Sequence, residues 1–358
     1  MCLIMTTATR TPAQSPSRRP ALVLALFLLA PLVGEFLLGN LPITWLGALV
    51  MLAPLYGGGA VLIREIARRS GRGWPTMIVL GFVYALIEEA FVTQSLFNPD
   101  YVGLRLLDFG YIPSLGIGAW WTVFVLGIHT IWSTAVPIAL VETLAGRRDA
   151  SRQPWLGRIG LTVMALVFAA GCAVTAAVQP PNPTGTSPAQ FLGAGAVAAV
   201  CAVVAFGVGR RQRSMGGQDP TGPADADAGP AAPSVPFVVG ASFAAGSVFM
   251  ILAFTHEGLP AVVSVAAMLA TLAAGGIFLA VASRRRGWSG RHVFAAAVGF
   301  LLTYVWYGFV QVPSIGAPSA AVNLVGDIVF ASGALTLVYV LARRLRATAE
   351  RAGPGFRR

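Results

Sequence analysis

Lysine is absent from this 358-residue chain, and charge of either sign is scarce. Charged residues make up 11% of it, where a soluble domain carries roughly 25%. The three cysteines, Cys2, Cys172 and Cys201, have no metal-ligand spacing and form no disulfide framework. Cys172 and Cys201 lie within hydrophobic runs, where an inert thiol is the default. These absences exclude an ordinary soluble enzyme and a small cystine-stapled domain. Hydrophobic residues fill the gap, at 56% of the chain, with a mean hydropathy of +0.73.

The apolar residues come in runs near the ~20 residues that a membrane-crossing helix needs. Ten runs are marked: 20–38, 42–63, 75–97, 117–144, 155–178, 188–209, 235–254, 260–283, 292–312 and 318–342. The expected fold is an all-α polytopic transmembrane bundle of about ten spans. The first run is too long for a cleaved signal peptide, carries Glu35 and lacks a small-x-small cleavage site, so it reads as a retained span.

All 25 basic residues are arginine, a preference that looks like the coding bias of a GC-rich genome. With the N-terminus inside, ten spans place 24 of the 25 in cytoplasmic segments and leave only Arg105 outside. The positive-inside rule therefore predicts cytoplasmic N- and C-termini in a bacterial inner membrane. Arginines clustered between apolar runs suit the bilayer and its anionic lipids as partners, not nucleic acid.

Residues 210–236, rich in Gly, Pro, Ala and Asp, read as a disordered cytoplasmic linker. The organisation is then a disordered 1–19, spans one to six over 20–209, the linker 210–236, spans seven to ten over 237–345 and a basic tail at 346–358. There is no internal repeat. In spans five to eight, the abundant Ala and Gly suggest close helix packing.

A carboxylate inside a bilayer costs at least ~2.5 kcal/mol on insertion scales and calls for an explanation. The candidates are Glu35, Glu88, Glu89, Glu142 and Asp327. At 1.5 Å per residue, Glu35 lies ~22 Å and Glu88 ~20 Å from the inner face. His129 lies ~18 Å and Asp327 ~14 Å from the outer face. All four fall between the midplane and the outer half, where they could meet. Glu142, near Arg147, reads as a snorkelling group, and Arg64 and Glu65 as partners of loop charges. Trp120 and Trp121 fit an outer aromatic belt. Gln311, Asn323 and Asp327 form a second polar group.

Glu88 and Glu89 point about 100° apart on a helix, so they do not both face one partner squarely. Glu89 shares a face with Thr93, and His129 with Ser133, each pair four residues apart. A histidine with two carboxylates is what a proton relay, a metal site or water activation would each require. Glu35, Thr93, Ser133 and Asp327 are the candidate substrate or proton path. YGGGAV (56–61) lacks GK[ST] and is a packing or kink site, not a phosphate loop.

Glu88, Glu89 and the His129 forty residues on resemble the first two motifs, EExxxR and FxxxH, of the CPBP family of intramembrane proteases, which includes the type II CAAX prenyl proteases. About 60 residues carry the resemblance. Thr93 stands where that family has Arg, Val125 where it has Phe, and no intramembrane HxxxN or HxxxD is present. The resemblance implies a protease with Glu88 or Glu89 as base or ligand, His129 as ligand or acid, and a divalent metal as a possible cofactor. The elements LIRE (62–65), GWP (73–75), EE (88–89), QSLF (94–97) and HxxW (129–132) are also similar to a set of uncharacterised bacterial multi-pass proteins, which implies no activity. The readings carried forward are proton-linked solute transport, a CPBP-like protease, and a structural or regulatory membrane protein.

Overall fold

Among the described residues, ten long helices account for the ten apolar runs. The computed structural model describes residues 19–146, 153–208, 229–255 and 258–351. Most of the 1–19 segment, most of the linker, the end of the tail, His256 and several loop arginines lie outside the described residues. The helices are α1 (Arg19–Leu37), α2 (Ile43–Arg69), α3 (Trp74–Val92), α4 (Ala119–Ala145), α5 (Arg158–Val178), α6 (Pro188–Val208), α7 (Val235–Phe254), α8 (Ala261–Ala282), α9 (Gly290–Tyr307) and α10 (Ala320–Arg351). A short hairpin, β1 (Tyr111–Ile112) and β2 (Ile117–Gly118), is the only paired-strand sheet among the described residues. The chain is an all-α polytopic membrane bundle.

Nine of these helices are long and apolar enough to cross a membrane, and α9 falls outside that set. Eleven of its 18 residues are buried, including His292, Thr303, Tyr304 and Tyr307. A helix enclosed by protein needs less apolarity than one facing lipid. It still runs the length of the bundle. The ring N–H of His292 donates to the Pro233 carbonyl at 3.1 Å at one end, and Gly308 lies against the Leu37 carbonyl at the other. Successive helices thus run antiparallel. Arg64, Arg68, Arg69 and Arg72 gather at the end where Arg19 bonds Gln153, and Arg105 lies at the opposite end.

Burial is uneven. Spans α1 to α4 are half or more buried, whereas α5, α6 and α8 are almost wholly exposed on their outer faces. Many small residues of α5, α6 and α8 face outward, but the packing expected of small residues is present at points. A Cβ on Gly171 of α5 would stand 2.7 Å from the Leu55 nitrogen of α2, and Ala205 of α6 is fully buried. Close packing by small residues is found between α7 and α9. A Cβ added to Gly299 would stand 2.5 Å from the Val239 carbonyl oxygen, and one on Gly246 would stand 2.5 Å from Thr303 Oγ1. Trp132 of α4 fills the space beside them, stacked on Tyr304 at 4.8 Å and donating to the Phe300 carbonyl at 2.6 Å.

The structure corrects several expectations. The end of the Gly/Pro-rich run is hydrogen-bonded: Ala232 N–H donates to the Arg286 carbonyl at 2.8 Å, and α7 begins at Val235. Helix α10 continues to Arg351, past the start of the expected tail. Trp120 is buried, and Trp121 donates to Ser95 in the loop after α3 at 3.0 Å, so both rings meet protein. Gln311 bonds the neighbouring Val312 carbonyl and is not joined to Asn323 and Asp327 in a polar group.

Glu142 is not a snorkelling group, and Arg64 and Glu65 pair with each other, and Arg64 with Glu142, rather than with loop charges. Arg64 and Glu65 are fully buried, 2.5 Å apart. Glu142 binds Arg64 at 3.2 Å and Arg68 at 2.5 Å, while Glu65 also accepts the backbone N–H groups of Trp155 at 2.8 Å and Leu156 at 3.1 Å. The Trp155 ring lies 3.4 Å under the Arg64 guanidinium. These charges stay buried because two carboxylates and two guanidiniums neutralise one another and their polar atoms find partners. Nothing in the local sequence signals this. The segment before α5 has to fold back over α2 to complete it.

Candidate functional site

Four helices depart from α geometry at one level of the bundle. The π-helical segments are Leu32–Leu37 in α1, Ala53–Gly57 in α2, Ile87–Val92 in α3 and His129–Ala135 in α4. Their wider turns are visible as i→i+5 bonds, such as Thr93 N–H to the Glu88 carbonyl at 2.8 Å and Asn40 N–H to the Glu35 carbonyl at 3.0 Å. Pro31, Pro54 and Pro137 adjoin or enter three of the four segments, each withholding an N–H from the helical ladder. The α3 segment has no proline. Each segment carries polar side chains of one cluster: Glu35, Tyr56, Glu88 with Glu89, and His129 with Ser133.

Glu88 and Glu89 both contact His129, against the expectation from α-helical spacing. Glu88 Oε2 lies 3.3 Å from His129 Nδ1, and Glu89 Oε1 lies 2.9 Å from Nε2. Two features make this possible. The wider turn changes where successive side chains point, and the imidazole offers its two nitrogens on different edges, so one ring sits between both carboxylates. All three residues are buried.

The surrounding bonds hold the two glutamates differently. Glu89 accepts from Thr93 Oγ1 at 3.1 Å and from the Ser95 hydroxyl, which itself accepts the Trp121 indole N–H. Glu88 Oε2 meets His129 Nδ1 without hydrogen-bond geometry, and the buried Tyr84 hydroxyl stands beside the Glu88 carboxylate. Ser133 Oγ lies 3.1 Å from His129 Nδ1. Glu35 accepts from the Tyr56 hydroxyl and from Asn40 Nδ2 at 2.6 Å, and the Tyr56 ring packs 5.6 Å from the His129 ring. Tyr56 thereby ties Glu35 to the triad.

Glycine makes the approach possible at two points. A Cβ on Gly34 would stand 2.8 Å from Ser133 Oγ, and one on Gly59 would stand 2.4 Å from Tyr84 Cε2. The YGGGAV run is thus a packing and kink site. It also supplies Tyr56, which sequence reasoning did not single out.

The cluster lies in the last turn of α1 and of α3, beneath the loops that follow them. Asn40, next to Glu35, is bonded to Ser314 Oγ at 2.6 Å in the loop between α9 and α10. Tyr101 in the loop after α3 lies over the carboxylates. Burial, then the charges of Glu89, Glu35 and Glu88, push its hydroxyl pKa above the ordinary value. Toward the other end the cluster meets apolar packing by Leu26, Ala30, Ala60 and Ile138, and beyond it the Arg64–Glu142 network.

Of the residues singled out from sequence, Glu35, Glu88, Glu89, Thr93, His129 and Ser133 come together. Asp327 does not join them. Its hydrogen bond is to Asn323 of the same helix, at 3.2 Å. Tyr56, Tyr84, Ser95, Asn40 and Tyr101 are the additions. Only Tyr84 carried a signal, as the residue one helical turn before Glu88.

Three ligand atoms, one each from Glu88, Glu89 and His129, lie within 4.8 Å of one another, a grouping that could hold a metal ion. No curated protein and no solved structure matches the chain significantly. Residues 24–351 do match the model of an uncharacterised membrane protein family, and the chain belongs to that family.

Proposed function

We propose that the cluster is an acid–base site that activates water against a substrate held in the membrane, so that the protein works as an intramembrane hydrolase of the CPBP type. The observation that carries this reading is the convergence of four π-helical segments on a histidine held between two buried carboxylates. Single π turns recur at functional sites.

The roles follow from the bonds. Glu89, fixed by Thr93 and Ser95, orients His129 through Nε2. Glu88 Oε2 is the base. It takes a proton from water as the water oxygen attacks the scissile carbonyl carbon, and returns it to the leaving amine as the C–N bond breaks. The Tyr84 hydroxyl, beside Glu88, is placed to donate to the developing oxyanion. Two carboxylates and an imidazole are also a donor set that suits a divalent metal such as zinc. Such an ion would be held by Glu88, Glu89 and His129 and would make bound water more acidic.

The positive-inside rule assigns the arginine-rich end to the cytoplasm of a bacterial inner membrane, with both chain ends there. The site then lies nearer the outer face, beneath Asn40 and Tyr101. Proton-linked transport would need a second path to the cytoplasm, and the apolar packing and the Arg64–Glu142 network occupy that route.

The test compares membranes from cells carrying the intact gene with those carrying Glu88→Gln, Glu89→Gln or His129→Ala. Quantitative N-terminal proteomics should find the same membrane protein uncut in all three, at normal expression of each variant. A solute gradient lost in the variants, with no cleavage difference, would replace hydrolysis with transport. Full complementation by the Glu88→Gln, Glu89→Gln double variant would refute both. Reporters fused after Arg358 and near Gly217 should be cytoplasmic.

A further inference from the structure

The two helices α7 and α8 leave a groove on the outer surface of the bundle, of about 570 Å³, lined by no residue of the Glu–Glu–His cluster. Its floor and walls are apolar: Phe237, Ala274, Ile277, Phe278 and Val281 line it, and Arg285 stands at its mouth. Phe237 and Phe278 meet edge to face at 6.0 Å and form one wall. From Ala274 to Arg285 the groove runs along about 16 Å of helix, close to one leaflet of a ~30 Å hydrocarbon core.

Charge at the mouth is one-sided. Arg284, Arg285, Arg286 and Arg291 crowd the α8–α9 connection, and residues 258–326 contain no Asp or Glu. Among the described residues no carboxylate pairs with Arg284, Arg285 or Arg291. Beside them Trp288 stacks on His292 at 4.8 Å, at the level where interfacial tryptophans sit. An apolar slot one leaflet deep, ending at Arg285 with no described carboxylate paired to it, matches an amphiphile with a single chain in the slot and an anionic head at its end.

We propose that this groove is a binding site for an anionic phospholipid, with one acyl chain between α7 and α8 and the phosphate against Arg285. The chain supplies apolar contact that a phosphate alone would not have. The cation selects anionic over zwitterionic headgroups. The site is independent of the hydrolytic reading, because no residue is shared.

Native mass spectrometry of the purified full-length protein, titrated with dioleoylphosphatidylglycerol or dioleoylphosphatidylcholine, tests this. The intact protein should retain phosphatidylglycerol in preference to phosphatidylcholine. Arg285→Gln should weaken that binding about fivefold, the loss of one arginine near an anionic headgroup. Ala274→Trp, which fills the groove and keeps every charge, should weaken it as well. Both positions face outward, so thermal unfolding of the variants should match the intact protein. Equal retention of the two lipids would overturn the proposal. So would phosphatidylglycerol binding that survives Ala274→Trp, since that places the headgroup on the basic surface without the groove.

Discussion

Glu65→Ala is expected to destabilise the protein by about 3–5 kcal/mol, the cost of breaking a buried ion pair by removing one partner. The structure says why so small a change reaches so far. The Glu65 carboxylate takes Arg64 Nη1 at 2.5 Å and the backbone N–H groups of Trp155 and Leu156 at 2.8 and 3.1 Å, and faces Arg69 Nε at 3.7 Å. Without it, Arg64 keeps Glu142 at 3.2 Å and the Gln153 carbonyl at 2.8 Å, but Glu142 must then balance Arg64 and Arg68 alone. The two amides lose their acceptor, at about 1–3 kcal/mol each if they stay buried. They share one short segment that can shift toward water, so the costs do not sum. Reversible unfolding in mixed detergent micelles measures the difference. Glu65→Gln should fall between the alanine variant and the intact protein, because its amide oxygen still accepts an N–H. Arg64→Leu with Glu65→Leu should recover part of the loss, since it removes both charges together. A change below about 1 kcal/mol in Glu65→Ala would equal that of an exposed pair and refute a buried network.

Four further outcomes test the packing around the site. Gly57→Ala places a Cβ 2.0 Å from the Phe27 carbonyl oxygen and should cost about 1–3 kcal/mol or more by overpacking. Gly47→Ala, with nothing within 4 Å, should be nearly silent in the same unfolding assay. Trp132→Ala empties a fully buried site between α4, α7 and α9 and should cost about 3–5 kcal/mol; a loss under about 1 kcal/mol would count against that interface. Asn40→Cys with Ser314→Cys, in a chain whose native cysteines are replaced by alanine, should form a disulfide on mild oxidation, because the native side chains meet at 2.6 Å. Failure to crosslink, read on a gel after cleavage between the two positions, would separate α1 from the α9–α10 loop.

Composition and run length were enough to determine the helical membrane architecture, because a bilayer leaves the backbone few ways to satisfy itself and each span must be about 20 apolar residues long. Even α9, the least apolar, could be marked as a run, although its interior position could not. The rarity of carboxylates in such runs also picked out Glu35, Glu88, Glu89 and His129. Their depths could be counted along each helix. Their mutual orientation could not, since an α-helical step places Glu88 and Glu89 on different faces, and only the π turns and the two-edged imidazole bring both onto His129. Tyr56 and Ser95 joined for a similar reason. Their partners lie on helices or loops whose approach depends on glycine contacts and kinks in three dimensions. Asp327 shared the right depth but faces Asn323 on its own helix, so depth alone did not bring it to the cluster. The burial of Arg64, Glu65 and Glu142 was decided by tertiary structure alone. A charge near the end of a span can reach water in any sequence, and it stays inside only when another segment, here the one before α5, folds over it and supplies the opposite charge and the donors.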